Sequence, residues 1–235
     1  GDTMPILELA RKKKMSISRV EEYYNALRTN IQLSGENIRV IAISSTFPGE
    51  GKTTTSTNLA LTFAKAGHKT LLVDADIRNS KMLGGVFKSD GKVTGLTEYL
   101  SGTTDLSQGL CETDEPNLFV VSSGQISPNP TALLQSDRFA TMMSVLRRHY
   151  DYIIVDTPPI GMVVDATLIS RVCDASLLVV APKEVKRKMV QRSKMQLEQS
   201  STPFLGVVLN KYNVEADKYG FYGSYGHYGD NLSKE

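Results

Sequence analysis

The amino-acid sequence predicts an α/β domain in which helices flank both faces of a mostly parallel sheet. Short apolar runs alternate along the 235 residues with amphipathic stretches. Most of these runs are continuous and rich in β-branched residues, which is typical of strands buried on both faces. A hydrophobic content of 40% and a charged content of 22% are close to the averages of globular domains, so a wholly disordered chain is excluded.

Six apolar runs are the predicted strands, and helical spacing lies between several of them. They span residues 40–43, 71–73, 118–121, 152–155, 176–180 and 204–209. A first helix is predicted over residues 20–33 from positions three and four residues apart. A second helix contains Leu59 and Phe63 and ends at Gly67, and a third follows Ser136, whose hydroxyl suits a helix N-cap.

Charge and cysteine content exclude several other classes of protein. The chain carries 27 Lys and Arg against 25 Asp and Glu, and this net charge of +2 does not suit a protein that coats nucleic acid. Its two cysteines have no metal-ligand spacing and are too few for a disulfide scaffold, which favours a reduced, cytoplasmic setting. No apolar run approaches the roughly 20 residues that a membrane-spanning helix needs. Any membrane association is therefore expected to depend on a partner.

A glycine-rich turn after the first predicted strand is the clearest functional motif. Residues 46–53 read Thr-Phe-Pro-Gly-Glu-Gly-Lys-Thr, a P-loop pattern whose usual first glycine is replaced by Thr46. Its glycines let backbone N–H groups surround phosphate oxygens at the start of a helix. Lys52 is predicted to reach the β- and γ-phosphates and Thr53 to ligate Mg²⁺. We therefore predict ATP and Mg²⁺ as cofactors, with the ATP-binding residues Gly49, Glu50, Gly51, Lys52, Thr53 and Thr54.

Two further predicted strands end in carboxylates. Asp74 and Asp76 follow the second strand, and Asp156 follows the fourth. The carboxyl ends of parallel strands meet at one edge of the sheet, where open α/β sheets bind their ligands. Three carboxylates there would be costly without a cation, so we expect a divalent metal with Thr53 and Asp156 as its ligands. The alternative for each aspartate is a strand-end cap.

The C-terminal residues differ in composition from the rest of the chain. Tyrosine recurs at every third position and is each time followed by glycine, at Tyr219, Tyr222, Tyr225 and Tyr228. Glycine raises the entropy cost of ordering, and no aliphatic side chain between 218 and 230 offsets it. Residues 215–235 are therefore predicted to be a disordered tail. Exposed tyrosines suit either phosphate acceptors or a segment that stacks on partners or binds sugars.

Together these motifs resemble the Walker A, A′ and B set of the bacterial tyrosine kinases. The P-loop corresponds to A, Asp74-Ala-Asp76-Ile-Arg78 to A′ and Asp156-Thr-Pro-Pro to B, and the tyrosine cluster is that family's other hallmark. The resemblance covers nearly the whole chain and is closest to streptococcal capsular or exopolysaccharide kinases. The family fold resembles the MinD and ParA ATPases, but those carry a signature lysine where this sequence has Phe47.

The resemblance implies an ATP-dependent, autophosphorylating protein tyrosine kinase that regulates capsular or exopolysaccharide synthesis and export. It implies Lys52, Asp74 and Asp76 as catalytic residues, with Asp74 accepting the tyrosine proton or orienting the hydroxyl. The four tail tyrosines would be the phosphate acceptors. By analogy with related P-loop proteins, Asn210 is expected to contact the adenine. Arg78 would either steady phosphate charge or pair with Asp76.

The resemblance also implies an organisation in three segments and an assembly. Residues 1–37 would form an N-terminal extension with an oligomerisation helix, residues 38–214 the P-loop kinase domain, and the remainder the tail. Glu22 and Arg28 match the family's Glu-x₂-Arg-x₂-Arg subunit contact, although Asn25 replaces its middle arginine. A ring-like homo-oligomer of the unphosphorylated chain is therefore expected.

The expected partners follow from the same resemblance. They are a transmembrane activator or polysaccharide co-polymerase with a cytoplasmic tail, and a protein tyrosine phosphatase, with no nucleic acid. The chain would be cytoplasmic and peripheral at the cell membrane through the activator. The basic run at residues 11–14 could touch anionic lipid or simply be solvated. Two other functions stay open, namely a MinD- or ParA-like ATPase switch that does not phosphorylate protein, and a nonenzymatic regulator.

Overall fold

The computed structural model describes residues 4–10 and 21–210, and within them the chain folds around a nine-stranded sheet. The strands are β1 Ile6–Leu9, β2 Val40–Ser45, β3 Thr70–Asp74, β4 Phe87–Lys88, β5 Leu110–Thr113, β6 Leu118–Val121, β7 Tyr152–Asp156, β8 Ala175–Val180 and β9 Phe204–Leu209. Their order across the sheet is β4-β1-β5-β6-β3-β7-β2-β8-β9. All neighbouring pairs are parallel except β1 with β4 and β5 with β6. The predicted α/β class with a mostly parallel sheet is confirmed.

Helices cover both faces of this sheet. They are α1 Glu21–Leu33, α2 Lys52–Lys65, α3 Met82–Gly85, α4 Leu96–Leu100, α5 Leu106–Gly109, α6 Pro130–Gln135, α7 Asp137–Arg147, α8 Asp165–Ser170 and α9 Arg187–Glu198. Within the described residues, no helix is long and apolar enough to cross a membrane.

Alternate residues of the central strands divide the core into two layers. Ile41 and Ile43 of β2 pack with Phe63 of α2 on one face. Val40 and Ala42 pack on the opposite face, together with side chains of α6, α7 and α8. Strands that bury both faces need apolar residues at every position, which is why the central runs in the sequence are continuous.

The predicted elements are found in the structure, with small changes at their ends. All six predicted strands form, and the first helix is described from Glu21 onward. Ser136 is the N-cap of α7, since its hydroxyl accepts a hydrogen bond of 3.4 Å from the Phe139 N–H. Strands β1, β4 and β5, which are two to four residues long, were not predicted from the sequence.

Strand β1 places part of the N-terminal segment in the sheet. Ile6–Leu9 pairs with β5 in parallel and with β4 in antiparallel orientation, so part of the predicted extension belongs to the central sheet. The basic run at residues 11–14, the boundary between kinase domain and tail, and the four tail tyrosines lie outside the described residues.

Candidate nucleotide and phosphotransfer site

The P-loop joins the carboxyl end of β2 to the first turn of α2. Gly49 and Gly51 both have left-handed backbone angles, with φ of 85° and 84°, which other residues rarely adopt. At Gly51 a Cβ atom would also lie 1.7 Å from the Asn210 side-chain nitrogen. Glycine is therefore required at position 51 both for conformation and for space. The loop leads directly into the N-terminus of α2, where backbone N–H groups favour an anion.

Two side chains hold this loop from behind. The buried carboxylate of Glu50 accepts hydrogen bonds from the Phe47 N–H at 2.8 Å and from the Ala181 N–H at 3.1 Å. The Asn210 amide, at the end of β9, donates to the Glu50 carbonyl oxygen at 2.9 Å. The structure thus places Glu50 and Asn210 as supports of the P-loop. Their predicted contacts with ATP stay predictions.

Asp156, at the end of β7, is the point where the predicted phosphate and metal residues meet. Its carboxylate accepts hydrogen bonds from the Lys52 ammonium at 2.8 Å and from the Thr53 hydroxyl at 2.8 Å. It also accepts one from the Ser56 hydroxyl at 3.0 Å, a residue that the sequence analysis missed. Ser56 is four residues after Lys52 on α2, so helical spacing already placed it on the same face.

Asp74 and Asp76 lie at the same edge of the sheet. Asp74 is directly opposite Asp156 in the β3–β7 register, and it is 1% exposed. It accepts a hydrogen bond from the Ser80 hydroxyl and one from the Asp76 N–H at 3.2 Å. Burial, followed by the negative charge of Asp156, raises the pKa of Asp74 to about 8. Burial also raises the pKa of Asp76, against the opposing effect of Lys52.

A lysine offsets part of the charge of these three aspartates, for which the sequence had predicted a divalent metal. Lys52 lies 2.8 Å from Asp156 and 4.0 Å from Asp76, so an internal ammonium already offsets much of the negative charge. Among the described residues, no three acidic, histidine or cysteine side chains converge as a metal cage. The donor set still suits Mg²⁺, which proteins usually hold by one or two carboxylates together with substrate phosphates.

Arg78 has a partner that the sequence analysis did not predict. Its guanidinium donates to Asp165, with Nε 2.7 Å from Oδ2, and also to the Thr131 hydroxyl at 2.7 Å. The Thr131 hydroxyl donates to Asp165 in turn at 2.8 Å. The predicted alternative of a pair between Arg78 and Asp76 is therefore wrong. Asp165 is fully buried at the start of α8, and only the fold brings it to Arg78.

A cleft of about 490 Å³ opens above these groups, within the usual range for small-molecule sites. Its lining includes Gly49, Gly51, Lys52, Thr53, Thr54, Asp76 and Arg78. The structure thus brings the predicted phosphate and metal residues to one cleft, with Asp74 and Asp156 buried beside it. A glycine-rich loop, its lysine and strand-end carboxylates at the carboxyl edge of a parallel sheet define a P-loop nucleotide-binding protein.

The predicted oligomer residues of α1 lie away from this cleft. Glu22 is exposed, whereas Arg28 is partly buried and donates to the Thr62 carbonyl oxygen of α2 at 2.9 Å. Asn25 accepts a hydrogen bond of 2.6 Å from the Thr62 hydroxyl. Arg28 and Asn25 therefore fix α1 to α2 within the chain, and their part in an oligomer stays a prediction.

Comparisons with known proteins narrow the class. A family model described as an AAA domain matches residues 38–192. The tyrosine-protein kinase CpsD of Streptococcus pneumoniae is 62% identical over 226 residues, covering 96% of this chain and 99% of that relative. CpsD of Streptococcus agalactiae is 52% identical over 221 residues, covering 94% and 96%.

Solved structures agree with the sequence relatives. The kinase domain of Escherichia coli tyrosine kinase ETK superposes with a TM-score of 0.77 at 34% identity, covering 80% of this chain and 74% of that chain. MinD of Pyrococcus horikoshii, complexed with Mg-ADP, has a TM-score of 0.61 at 25% identity, covering 74% and 71%.

The chain belongs to the bacterial tyrosine kinase family, and it is an enzyme of the tyrosine-protein kinase class. The family model and the similarity to MinD imply that the chain binds nucleotide. The similarity to MinD lies in the shared fold, and the higher identities to kinases disfavour the alternative of an ATPase switch without a protein acceptor.

Proposed function

We propose that the chain uses ATP with Mg²⁺ to phosphorylate tyrosines of its own C-terminal segment, namely Tyr219, Tyr222, Tyr225 and Tyr228. The observation that carries this proposal is the meeting of Lys52 and Thr53 at Asp156, beside Asp74, on one edge of the sheet. The acceptor tyrosines lie outside the described residues, and their assignment depends on the sequence pattern and the family.

The phosphate-holding part of the site consists of the P-loop and the first turn of α2. Lys52 and the loop N–H groups would bind the β- and γ-phosphates, while Thr53 and Asp156 would hold Mg²⁺. Bound Mg-ATP supplies the transferable phosphoryl group and a cation that offsets carboxylate charge. Because little covalent chemistry falls to the protein in such transfers, positioning and charge neutralisation are its main contributions.

Asp74 is the group proposed to act on the acceptor hydroxyl. A tyrosine must lose its proton as it attacks, and its ordinary pKa is near ~10. An ordinary aspartate is a weak base for this step, but burial raises the pKa of Asp74 to about 8. An acceptor whose pKa is nearer to that of the donor takes a proton more readily. Asp74 would therefore take or orient the tyrosine proton, and Asp76 would support this geometry.

The biological setting is proposed from the family. The kinase would regulate capsular or exopolysaccharide synthesis and export at the membrane, activated by the cytoplasmic tail of a transmembrane co-polymerase. Exposed Glu22 on α1 supports a contact between subunits in a ring of unphosphorylated chains, with Arg28 holding α1 in place. A protein tyrosine phosphatase would remove the phosphates and restore the ring.

The direct test compares two lysine substitutions in α2. Lys52→Met should lower the rate of autophosphorylation about 10²–10³-fold or more, because it removes a charge that stabilises the transferring phosphoryl group. Lys65→Met, at the exposed end of the same helix, is the matched control and should retain wild-type activity. The measurement is intact mass after incubation with Mg-ATP, with a melting curve to establish that each variant is folded.

Two results would overturn this function. Wild-type levels of phosphotyrosine in a folded Lys52→Met protein would contradict the assigned phosphate site. Release of inorganic phosphate without any gain in protein mass, even with the activator tail added, would instead favour an ATPase switch.

A further inference from the structure

A strongly basic surface lies on the loop after β8 and on the first turns of α9. We call it the basic face, and it consists of Lys183, Lys186, Arg187, Lys188 and Arg192. All five side chains are exposed. On the helix, Lys188 and Arg192 share a face directed away from Ser193 and Leu197, which are buried against the domain, and Arg187 lies to the side of that face. The basic face is therefore fully available to solvent.

The basic face has no oppositely charged partner within the described residues. Within the described residues, none of its five side chains forms an ion pair, whereas the neighbouring Lys194 pairs with Glu198 at 3.6 Å. The first turn of α9 contains no acidic residue, and its two basic residues oppose the helix dipole. Residues that break a local stability rule in this way are expected mainly at functional surfaces.

This concentration of charge stands out against the rest of the chain. Residues 183–194 carry six basic side chains and one glutamate, whereas the whole chain has a net charge of only +2. The remaining residues are therefore net acidic. A positive potential on this helix is a local feature that suits an anionic partner.

The C-terminal segment begins beside this face. The Asn210 N–H donates to the Val180 carbonyl oxygen at 2.8 Å, and Lys183 is only three residues after Val180. Tyr219 is nine residues beyond Asn210, so the intervening chain can span up to about 30 Å. Helix α9 itself, with 12 residues, is about 18 Å long. The tail tyrosines can therefore reach every residue of the basic face in the same molecule.

We propose that the phosphorylated tail docks on the basic face of its own chain. This inference rests on the proposed function, because it takes the tail tyrosines as phosphate acceptors. Each phosphotyrosine adds roughly −1.5 to −2 charge and three acceptor oxygens. Arginine binds phosphate through paired N–H groups, and Arg192 shares one face of α9 with Lys188, four residues before it.

The same phosphates would be repelled at the catalytic cleft. When ATP occupies the cleft, its phosphates add negative charge to that of Asp76 and Asp156, so the cleft accepts a neutral tyrosine better than a phosphorylated one. Asn210, the last described residue before the tail, also contacts the P-loop through Glu50, so the chain leaves the described fold between the two regions. Phosphorylation thus moves the tail from the acidic cleft to the basic face and frees the cleft for the next turnover.

An anionic membrane is the competing occupant, and the structure favours the tail. Adsorption to a membrane is strengthened by exposed apolar side chains that insert between lipids. The exposed large apolar side chain of α9 is Met195, beyond the basic residues of its first turns, and the half-buried Val190 packs against the domain. A tethered tail is present at an effective concentration in the millimolar range, so moderate attraction is enough to hold it.

The test uses the full chain with all four tail tyrosines changed to Phe, which cannot phosphorylate its own tail. A labelled synthetic peptide of residues 215–230, phosphorylated at all four tyrosines, is titrated and binding is followed by fluorescence anisotropy. It should bind about tenfold or more tightly than the unphosphorylated peptide. The added substitutions Arg187→Gln, Lys188→Gln and Arg192→Gln should remove at least about tenfold of this affinity.

A charge-matched control separates the basic face from general attraction. Lys65→Gln, Lys92→Gln and Arg148→Gln remove the same charge from exposed positions elsewhere, and should change the affinity less than about twofold. Equal losses in the two triple variants would overturn the proposal. Loss of binding to phosphatidylserine vesicles in the α9 variant, with phosphopeptide affinity unchanged, would also overturn it and assign the face to a membrane.

Docking within one molecule is tested with the wild-type chain. After complete autophosphorylation, established by intact mass, it should bind the added phosphopeptide about tenfold more weakly because its own tail occupies the face. Unchanged affinity would overturn docking in the same molecule. Absence of any mass gain would contradict the proposed function instead, and the peptide titration would still decide whether the face binds a phosphorylated tail.

Discussion

Two aspartates at opposite edges of the same sheet have opposite electrostatic environments. Asp174, just before β8, accepts hydrogen bonds from the Arg39 and Val40 N–H groups at 3.0 and 2.9 Å. It also accepts two from the Arg147 guanidinium, at 2.9 and 2.7 Å. Asp74, at the carboxyl edge, has a hydroxyl and one N–H as donors and faces a second carboxylate on the neighbouring strand.

These environments separate the two pKa values. Burial alone would raise the pKa of Asp174, but its hydrogen bonds to Arg147, Arg39 and Val40 lower it below the usual range. Burial and the charge of Asp156 raise the pKa of Asp74 to about 8. Asp174, a carboxylate with a structural role, is thus surrounded by hydrogen-bond donors that stabilise its charged form. Asp74, the proposed proton acceptor, has fewer such donors, and this arrangement lowers the stability of the fold.

The largest effect is expected from Asp74→Asn. It should lower autophosphorylation about 10²-fold or more, because the amide cannot accept the tyrosine proton. Nucleotide affinity should be spared, since Lys52, Thr53 and Asp156 are untouched. The melting temperature without nucleotide should stay the same or rise, because an amide carries no charge that folding must neutralise. Initial rates, ATP binding and melting curves measure these three outcomes.

A matched change of Asp156→Asn controls this result. It should weaken the Mg²⁺ dependence of nucleotide binding, because Asp156 is the proposed metal ligand. If both substitutions affected Mg-ATP affinity equally, the separate roles of Asp74 and Asp156 would be contradicted.

Asp174→Asn should show the reverse pattern. Because it weakens charge-assisted hydrogen bonds to Arg147 and two backbone N–H groups, we expect a loss of about 2 kcal/mol in the free energy of unfolding. The specific activity of the remaining folded protein should be that of wild type. Urea unfolding and initial rates at low temperature provide the test, and a large loss of turnover in the folded variant would contradict a purely structural role.

Asp174 and Asp74 should make contributions of opposite sign to the pH dependence of the free energy of unfolding. The pKa of Asp174 is lower in the folded state, so its contribution is present above about pH 4 and is lost as pH falls through the folded pKa. The pKa of Asp74 is higher in the folded state, so the penalty that it imposes grows as pH rises from about 4 to about 8.

Unfolding free energies measured without nucleotide or Mg²⁺ test this opposition. Relative to Asp174→Asn, wild type should lose its advantage on acidification. Relative to Asp74→Asn, wild type should lose stability as pH rises. If the difference in unfolding free energy between wild type and each variant changed with pH in the same direction, the opposite pKa shifts of Asp174 and Asp74 would be contradicted.

The smallest effect is expected at Asp151. Its carboxylate accepts a hydrogen bond of 2.8 Å from the Lys69 N–H at the same edge as Asp174, but it is exposed. Since water can replace this partner, Asp151→Asn should cost less than about 1 kcal/mol. A loss as large as that of Asp174→Asn would mean that burial does not distinguish the two carboxylates.

The central strands of the sheet could be predicted from the sequence, and the short strands at its lateral side, β1 and β4, could not. Strands β2, β3 and β7 bury both faces, so each appears as an unbroken apolar run. Strand β1 alternates exposed and buried residues over four positions, and β4 has only two residues. Such short segments carry too little pattern to separate them from loops. Pairing with distant segments decides that they are strands.

The site was predictable to the extent that motifs are local. Lys52 and Thr53 were predicted because they are part of a continuous P-loop, and Asp156 because it ends a strand. The ion pair between Arg78 and Asp165 joins residues 87 positions apart, and no local pattern indicates it. The same holds for the contact between Asn210 and Glu50, which depends on how β9 ends beside the P-loop.

We propose that residues at the carboxyl edge of the sheet transfer phosphate to the tail, and this transfer is tested by mapping the phosphorylated residues. Wild type and a variant with Phe at all four tail tyrosines are incubated with Mg-ATP and the activator tail, then digested and sequenced by mass spectrometry. We predict phosphate on Tyr219, Tyr222, Tyr225 and Tyr228 in wild type, and loss of most phosphotyrosine in the variant with unchanged ATP binding. Phosphate found mainly on Tyr23, Tyr24 or Tyr150, or undiminished in the variant, would contradict transfer to the tail.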